Sequence, residues 1–334
     1  MSNIGILGGG TWGTALGVLL HQAGHHVTLW SALPEEVSQL TKTRRHPNLP
    51  GLVIPEGIRF TEDIAQAVQG MEAVVFAVPS PFVRETARKA APLMTDGQIA
   101  VDVAKGMEAD TLLTMTQVIE DEIRNPNIKT VALSGPTHAE EVALGLPTTI
   151  VSACECASAA RRVQDLFTTD TLRVYTNADK TGVELSGAMK NIIALAAGIS
   201  AGLGFGDNAK AAIITRGMVE ITRLGLCMGC QESTFAGLAG IGDLIVTCTS
   251  LHSRNNRCGM LLGKGVPPTE AIARVGMVVE GIHALPAAMR LMERYQVDMP
   301  IVRAVNAVVF EQADPMETVT ELMRRDRKTE AVLP

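Results

Sequence analysis

Over the first half of the chain, short runs of β-branched and aliphatic residues alternate with stretches whose apolar positions recur at helical spacing. The clearest runs are Ile4 to Gly8, His26 to Trp30, Ala73 to Val78, Ile99 to Val103, Thr130 to Ser134, Thr148 to Ser152 and Leu172 to Tyr175. That order builds a mostly parallel sheet with helices on its faces. The pattern predicts an α/β, Rossmann-like domain over residues 1–178. After Asn177 the strand rhythm stops, and helical spacing broken by glycine-rich turns continues to Arg327. It predicts an all-α domain over residues 179–334.

Three segments refine this division. The stretch HPNLPGLVIPEG, residues 46–57, breaks the alternation with prolines and glycines, so it is expected to be a long loop overhanging a site. Gly198 and Gly202, four apart, let two helices approach closely. The run Arg324-Arg325-Asp326-Arg327-Lys328 reads as a solvated helix end, favoured there by the helix dipole.

Composition narrows the function classes. With 334 residues, 46% hydrophobic and 19% charged, the chain has ample material for a core and is expected to form two domains. Its net charge of -6 gives no overall positive field, and aromatic residues are only 3%, leaving few stacking platforms. Nucleic acid is therefore not an expected partner. The most membrane-like stretch, Ile192 to Gly206, is uncharged but shorter than the ~18 apolar residues a span needs. No basic region precedes an apolar one at the N-terminus, where Asn3 to Leu7 is already strand-like; a cytoplasmic protein with six reduced cysteines is expected.

The chemistry begins at Gly8-Gly9-Gly10-Thr11-Trp12-Gly13, which fits G-x-G-x-x-G between the first strand and an apolar helix. Gly8 permits the tight turn, Gly10 lets backbone N–H groups reach a pyrophosphate, and Gly13 lets helix pack on strand. The alternative is a merely tight strand-to-helix turn. The end of the second strand, where an acid would bind the adenosine 2′-hydroxyl and an arginine a 2′-phosphate, reads Trp30-Ser31-Ala32-Leu33. Neither determinant stands there; Arg44 and Arg45 could swing in from the long loop, with solvated loop charges as the plainer reading. NAD(H) and NADP(H) both remain open.

Further along, Lys105 follows a strand and is expected at the carboxyl edge of the sheet, where such folds bind ligands. Gly135 and Thr137 follow another strand, beside His138-Ala139, at a helix start. A solvated lysine and a capping threonine are the plain alternatives. Lys190-Asn191 interrupts a strongly apolar helical stretch. A lysine buried there needs a partner, and desolvation together with nearby cations would suit it to proton transfer near neutral pH. Asp243, in Gly240-Ile241-Gly242-Asp243-Leu244, is the candidate counter-charge; a purely structural ion pair is the alternative. Ser253-Arg254-Asn255 offers a planar guanidinium and polar neighbours suited to phosphate.

Taken together, GGGTWGTAL at residues 8–16, AKG at 104–106, SGPTHAEEV at 134–142, ELSGAMKNIIALAAGI at 184–199, GLAGIGDLIVTC at 237–248, SRN at 253–255 and VVEG at 278–281 resemble the bacterial NAD(P)-dependent glycerol-3-phosphate dehydrogenases. The resemblance spans nearly the whole chain. It implies reversible hydride transfer between a nicotinamide and C2 of dihydroxyacetone phosphate, giving sn-glycerol 3-phosphate for phospholipid synthesis. By motif, Lys190 is the proton donor or acceptor, with Asp243 beside it. Lys105, Gly135, Thr137, Asn191, Thr247, Ser253, Arg254 and Asn255 match substrate contacts. Gly8, Gly10, Thr11, Trp12, Gly13, Ala139, Val278 and Glu280 match cofactor contacts, together with Lys105 and Arg254. Ala32 departs from the pattern, because many members carry a basic or polar side chain there.

Other readings share parts of this set. A 3-hydroxyacid-type dehydrogenase would share the glycine loop and a helical lysine but lack the SRN cage, and a non-catalytic nicotinamide sensor would have no use for both Lys190 and Asp243. Cys227-x-x-Cys230 lacks a second ligand pair at zinc spacing, so no metal is expected. A homodimer formed through the apolar helical domain is expected.

Overall fold

A computed structural model describes residues 1–327 and 329; Lys328, at the end of the basic run, lies outside the described residues. The chain divides into two units: Met1–Lys105 with Leu113–Lys180, and Gly106–Leu112 with Thr181 onward. Residues 106–112, assigned by pattern to the first domain, thus belong to the helical unit. The physical reason is non-local. Met107 is buried in that unit's core, and the Arg290 guanidinium donates to the carbonyls of Ala109 and Asp110.

In the first unit, β1 (Asn3–Leu7), α1 (Thr11–Gln22), β2 (His26–Trp30), α2 (Pro34–Thr43), β3 (Arg59–Thr61), β4 (Ala73–Phe76), α3 (Val83–Ala90) and β5 (Ile99–Asp102) are followed by α4 (Met115–Ile123), β6 (Lys129–Ser134), α5 (Ala139–Ala143), β7 (Thr148–Ala153), α6 (Ala157–Phe167) and β8 (Leu172–Asn177). The eight strands form one sheet in the order β3-β2-β1-β4-β5-β6-β7-β8. Every neighbouring pair is parallel except β6 and β7. The reversal follows α5, which is only 5 residues long. Strand β3 is absent from the sequence expectation: its 3 residues are too few to show alternation, and it forms by pairing with Thr28 to Trp30 of β2.

The central strands read as nearly continuous apolar runs because both of their faces are covered. Ile6, Val75 and Val101 pack into one core with Leu16 and Leu20 of α1, while Leu7, Val74, Phe76 and Ala100 pack into the other with Val83 and Ile119. Adjacent residues therefore enter opposite cores, as the two-residue side-chain period of a strand requires.

The second unit is built from α7 (Lys180–Gly202), α8 (Asp207–Cys227), α9 (Glu232–Phe235), α10 (Asp243–Thr249), α11 (Arg254–Gly263), α12 (Pro268–Val275), α13 (Glu280–Tyr295), α14 (Pro300–Phe310) and α15 (Pro315–Arg324). Helix α7 has 23 residues, longer than the uncharged stretch suggests, and is long and apolar enough by composition to cross a membrane. Its apolar window is 89% buried inside the protein, and Ile192, Ile193, Leu195 and Ala197 form the middle of the helical core. Along α7 the glycines bring in a second helix at backbone contact. A Cβ on Gly198 would lie 2.2 Å from the Asn256 carbonyl oxygen of α11, and one on Gly259 would lie 2.2 Å from that of Leu195. Gly202 and Gly263 repeat the arrangement one turn on, with clashes at 2.4 and 2.2 Å. All six cysteines are free.

Candidate active site

The glycine loop takes its shape from steric necessity. Gly8 has φ +132°, and a Cβ there would meet the Ala77 carbonyl carbon at 2.7 Å. A Cβ on Gly13 would lie 2.1 Å from the Gly8 carbonyl oxygen, so only glycine lets α1 start this close to β1. Gly10 differs: a Cβ there would meet nothing within 4 Å. Gly10 is also the N-cap of α1, with no side chain capping it, and Thr11 and Trp12, both half-buried, open the helix. The result is an open space in front of a helix N-terminus, whose N–H groups and dipole suit an anion. The donor set therefore fits a dinucleotide pyrophosphate. The long loop after α2 reaches this place, with the Asn48 amide nitrogen 3.4 Å from Thr11 Oγ1.

At the carboxyl end of β5, Asp102 Oδ1 accepts from the Ala104 N–H at 3.1 Å and shapes the turn that presents Lys105. Lys105 Nζ donates to the Gly135 carbonyl at 2.8 Å and lies 3.4 Å from Thr137 Oγ1. Thr137 in turn donates to Gly135 at 3.0 Å, and Ala139 opens α5. Three residues predicted from two separate motifs thus form one cluster at the sheet edge. Arg44 is committed elsewhere: its guanidinium donates to the Ile58 carbonyl at 2.8 Å, pairs with Glu56 and covers the Phe60 ring.

The second unit holds the other cluster. Lys190 is 4% exposed and Asp243 1%, and Lys190 Nζ donates to Asp243 Oδ1 at 2.8 Å and to Thr247 Oγ1 at 2.6 Å. Asp243 and Thr247 lie four residues apart on α10, which places both on the face that meets Lys190. Thr247 donates to the Asp243 carbonyl at 2.6 Å, so its oxygen is turned to accept from the lysine. One residue on from Lys190, the Asn191 side-chain oxygen accepts from Asn255 Nδ2 at 2.9 Å, and Asn255 Oδ1 accepts from the Gly281 N–H at 2.9 Å. Both ends of the Asn255 amide are used within the protein, which ties the starts of α11 and α13 to α7. Ser253 caps α11 by accepting from the Asn256 N–H at 3.2 Å, Arg254 is the helix's first residue, and Glu280 is that of α13, two residues after Val278.

One feature of the site escapes the sequence pattern. The carboxylate of Glu36, in the first turn of α2, folds back so that Oε2 accepts from Ser31 Oγ at 2.5 Å, just past the end of β2. The same oxygen would lie 2.5 Å from a Cβ on Gly9, so it reaches the glycine loop. The available signal was an acidic residue within six positions of the strand's end, beyond Leu33.

Comparison with known proteins gives one answer along the whole chain. Residues 3–160 match the family model for the N-terminus of NAD-dependent glycerol-3-phosphate dehydrogenase, and residues 179–320 match that for its C-terminus. Glycerol-3-phosphate dehydrogenase (NAD(P)+) 2 of Lactobacillus delbrueckii subsp. bulgaricus is 60% identical over 334 residues, with 99% of each chain covered. A Fusobacterium nucleatum glycerol-3-phosphate dehydrogenase (NAD(P)+) is 48% identical over 331 residues, again with 99% of each covered. The crystal structure of glycerol-3-phosphate dehydrogenase from Coxiella burnetii superposes with a TM-score of 0.93 at 35% identity, covering 97% of this chain and 99% of that one. With both halves matched and a relative this similar from end to end, the chain belongs to the NAD-dependent glycerol-3-phosphate dehydrogenase family.

Proposed function

We propose that the protein is an NAD(P)-dependent sn-glycerol-3-phosphate dehydrogenase that reversibly reduces dihydroxyacetone phosphate and feeds glycerophospholipid synthesis. The observation that carries the reading is the buried Lys190 ammonium, held by Asp243 and Thr247 at 2.8 and 2.6 Å in a chain whose two halves match the family. Reducing the carbonyl to a secondary alcohol takes a hydride and a proton. The nicotinamide, when bound, supplies or accepts the hydride. Lys190 gives its proton to the carbonyl oxygen as the C=O electron pair moves there, and takes it back in the reverse direction. Asp243 and Thr247 fix Nζ in place, and the Asn255–Asn191 bond fixes the neighbouring side chain on α7. Lys105, with Gly135 and Thr137, and Ser253 with Arg254 supply the charged and hydrogen-bonding groups for an anionic, phosphorylated substrate, while Asn255, bonded to Asn191 and Gly281, holds that turn in place. Gly8 to Gly13, with Ala139, Val278 and Glu280, contribute to holding the cofactor.

A homodimer in the cytoplasm fits the exposed Leu251, Phe310 and Met323 of the helical unit and the six free thiols. The test of function is the initial rate of NADH and NADPH oxidation with dihydroxyacetone phosphate, against unphosphorylated dihydroxyacetone and a 3-oxoacid. Turnover that needs the phosphate supports the reading. Turnover with the 3-oxoacid instead assigns a different dehydrogenase.

A further inference from the structure

From the placement of the Glu36 carboxylate we infer that this enzyme discriminates against the 2′-phosphate of NADP(H) and takes NAD(H), with Glu36 as the specificity-determining residue. The inference rests on the dinucleotide reading of the glycine loop.

In a βαβ dinucleotide site the end of the second strand meets the adenosine ribose: an acid there accepts from the 2′-hydroxyl, whereas an arginine pairs with a 2′-phosphate. Residues 31–33 carry neither group. The fold supplies one from further along. Ser31 immediately follows β2, and its hydroxyl binds Glu36 Oε2 at 2.5 Å, bringing a carboxylate of α2 to the strand's end. The Leu33 N–H donates to the same Ser31 oxygen at 3.1 Å, which fixes the turn between strand and helix. Contact between Glu36 Oε2 and the space a Gly9 side chain would fill places the charge beside the phosphate-binding loop as well.

A cavity of about 570 Å³ opens here, lined by Glu35, Glu36, Gln39 and His46 among others, and no lysine or arginine lines it among the described residues. Burial holds His46 below the ordinary histidine range, and its Nδ1 accepts from the Asn48 N–H at 3.1 Å, so near neutral pH the ring brings no charge. Arg44, the basic residue best placed in sequence to reach this end of the sheet, is held by Ile58 and Glu56. A ribose hydroxyl meets an acceptor at this place. A 2′-phosphate, with a charge near −2, meets a carboxylate, and like charges brought together are strongly disfavoured.

The test measures dissociation constants of NADH and NADPH for the unliganded protein by quenching of Trp12 and Trp30 fluorescence, in wild type and in Glu36→Gln. Wild type is expected to bind NADH at least about tenfold more tightly than NADPH. Glu36→Gln keeps an acceptor oxygen for Ser31 but removes the charge; the preference should shrink about fivefold or more, mainly through tighter NADPH binding. Raising the salt should narrow the wild-type preference and leave the variant's nearly unchanged. A purely structural Glu36 would alter thermal stability and leave the ratio alone. Binding of both cofactors with a wild-type ratio below about two, or a ratio unmoved in Glu36→Gln, overturns the inference and leaves the dehydrogenase reading standing. Folded protein that binds neither overturns both.

Discussion

Lys190 and Asp243 serve two purposes that mutation can separate. In Lys190→Met a carboxylate that is 1% exposed loses the ammonium 2.8 Å away, its close counter-charge, and keeps Thr247 Oγ1 at 3.4 Å. Breaking a buried pair by removing one partner typically costs about 3–5 kcal/mol. For a 334-residue protein, whose unfolding entropy is roughly 0.7 kcal/mol/K, that corresponds to a fall in Tm of roughly 4–7 °C. Replacing both partners, in Lys190→Met with Asp243→Asn, removes the stranded charge and should restore most of the stability. Activity should not follow. Loss of a general acid lowers turnover about 100- to 10,000-fold, and the double variant has no replacement proton donor. The assay pairs thermal unfolding with the single-turnover rate of NADH oxidation by dihydroxyacetone phosphate, and with cofactor affinity, to which neither Lys190 nor Asp243 is assigned and which should change by less than about twofold. Turnover in the double variant within about tenfold of wild type would refute the role given to Lys190. Stability equally low in the single and double variants would refute the stranded-charge account.

The glycine loop makes two opposite predictions. Gly10→Ala, whose new Cβ meets nothing within 4 Å, should leave Tm almost unchanged yet weaken dinucleotide binding about tenfold or more, whereas Gly13→Ala, 2.1 Å from a backbone oxygen, should lower Tm itself; both are read by thermal shift with and without NADH. Glu220 gives a pH signature. Burial raises its carboxyl to about 7 from an ordinary 4.5, even though both oxygens accept from the Ile301 and Val302 N–H groups at the start of α14. The folded state then holds the proton more tightly than the unfolded one, so this group's contribution to stability falls as pH rises from about 4.5 to 7. Denaturant titrations across that range should show wild type losing up to about 3 kcal/mol relative to Glu220→Gln; an unchanging difference would contradict the raised value.

The parts of the site that were legible in the sequence are those where a residue type contradicts its surroundings. Three glycines at fixed offsets after an apolar strand, and a lysine within an apolar helix, each need an explanation, and the explanation points to the site. Asp243 was legible as the nearest unexplained charge in an apolar segment. What could not be read depends on where distant parts of the chain meet. Strand β3 exists because β2 offers it a partner, and its 3 residues carry no pattern of their own. Asn255 looks like a free polar side chain until α7 and α13 occupy both ends of its amide. Glu36 looks like a favourable first-turn acid on α2, and only the fold turns its carboxylate back to Ser31.

The assignment of residues 106–112 to the helical unit bears on how this protein can be taken apart. Met107 is 4% exposed in that unit's core, and the carbonyls of Ala109 and Asp110 receive the Arg290 side chain. The unit is therefore encoded in two separate pieces, with a whole stretch of the other unit written between them. A gene fragment beginning at residue 181 would lack a core side chain and leave an arginine without its acceptors. Exchanging the helical unit for a relative's would require moving both pieces together, so a single crossover near residue 181 would leave the new unit with a foreign 106–112 segment in its core.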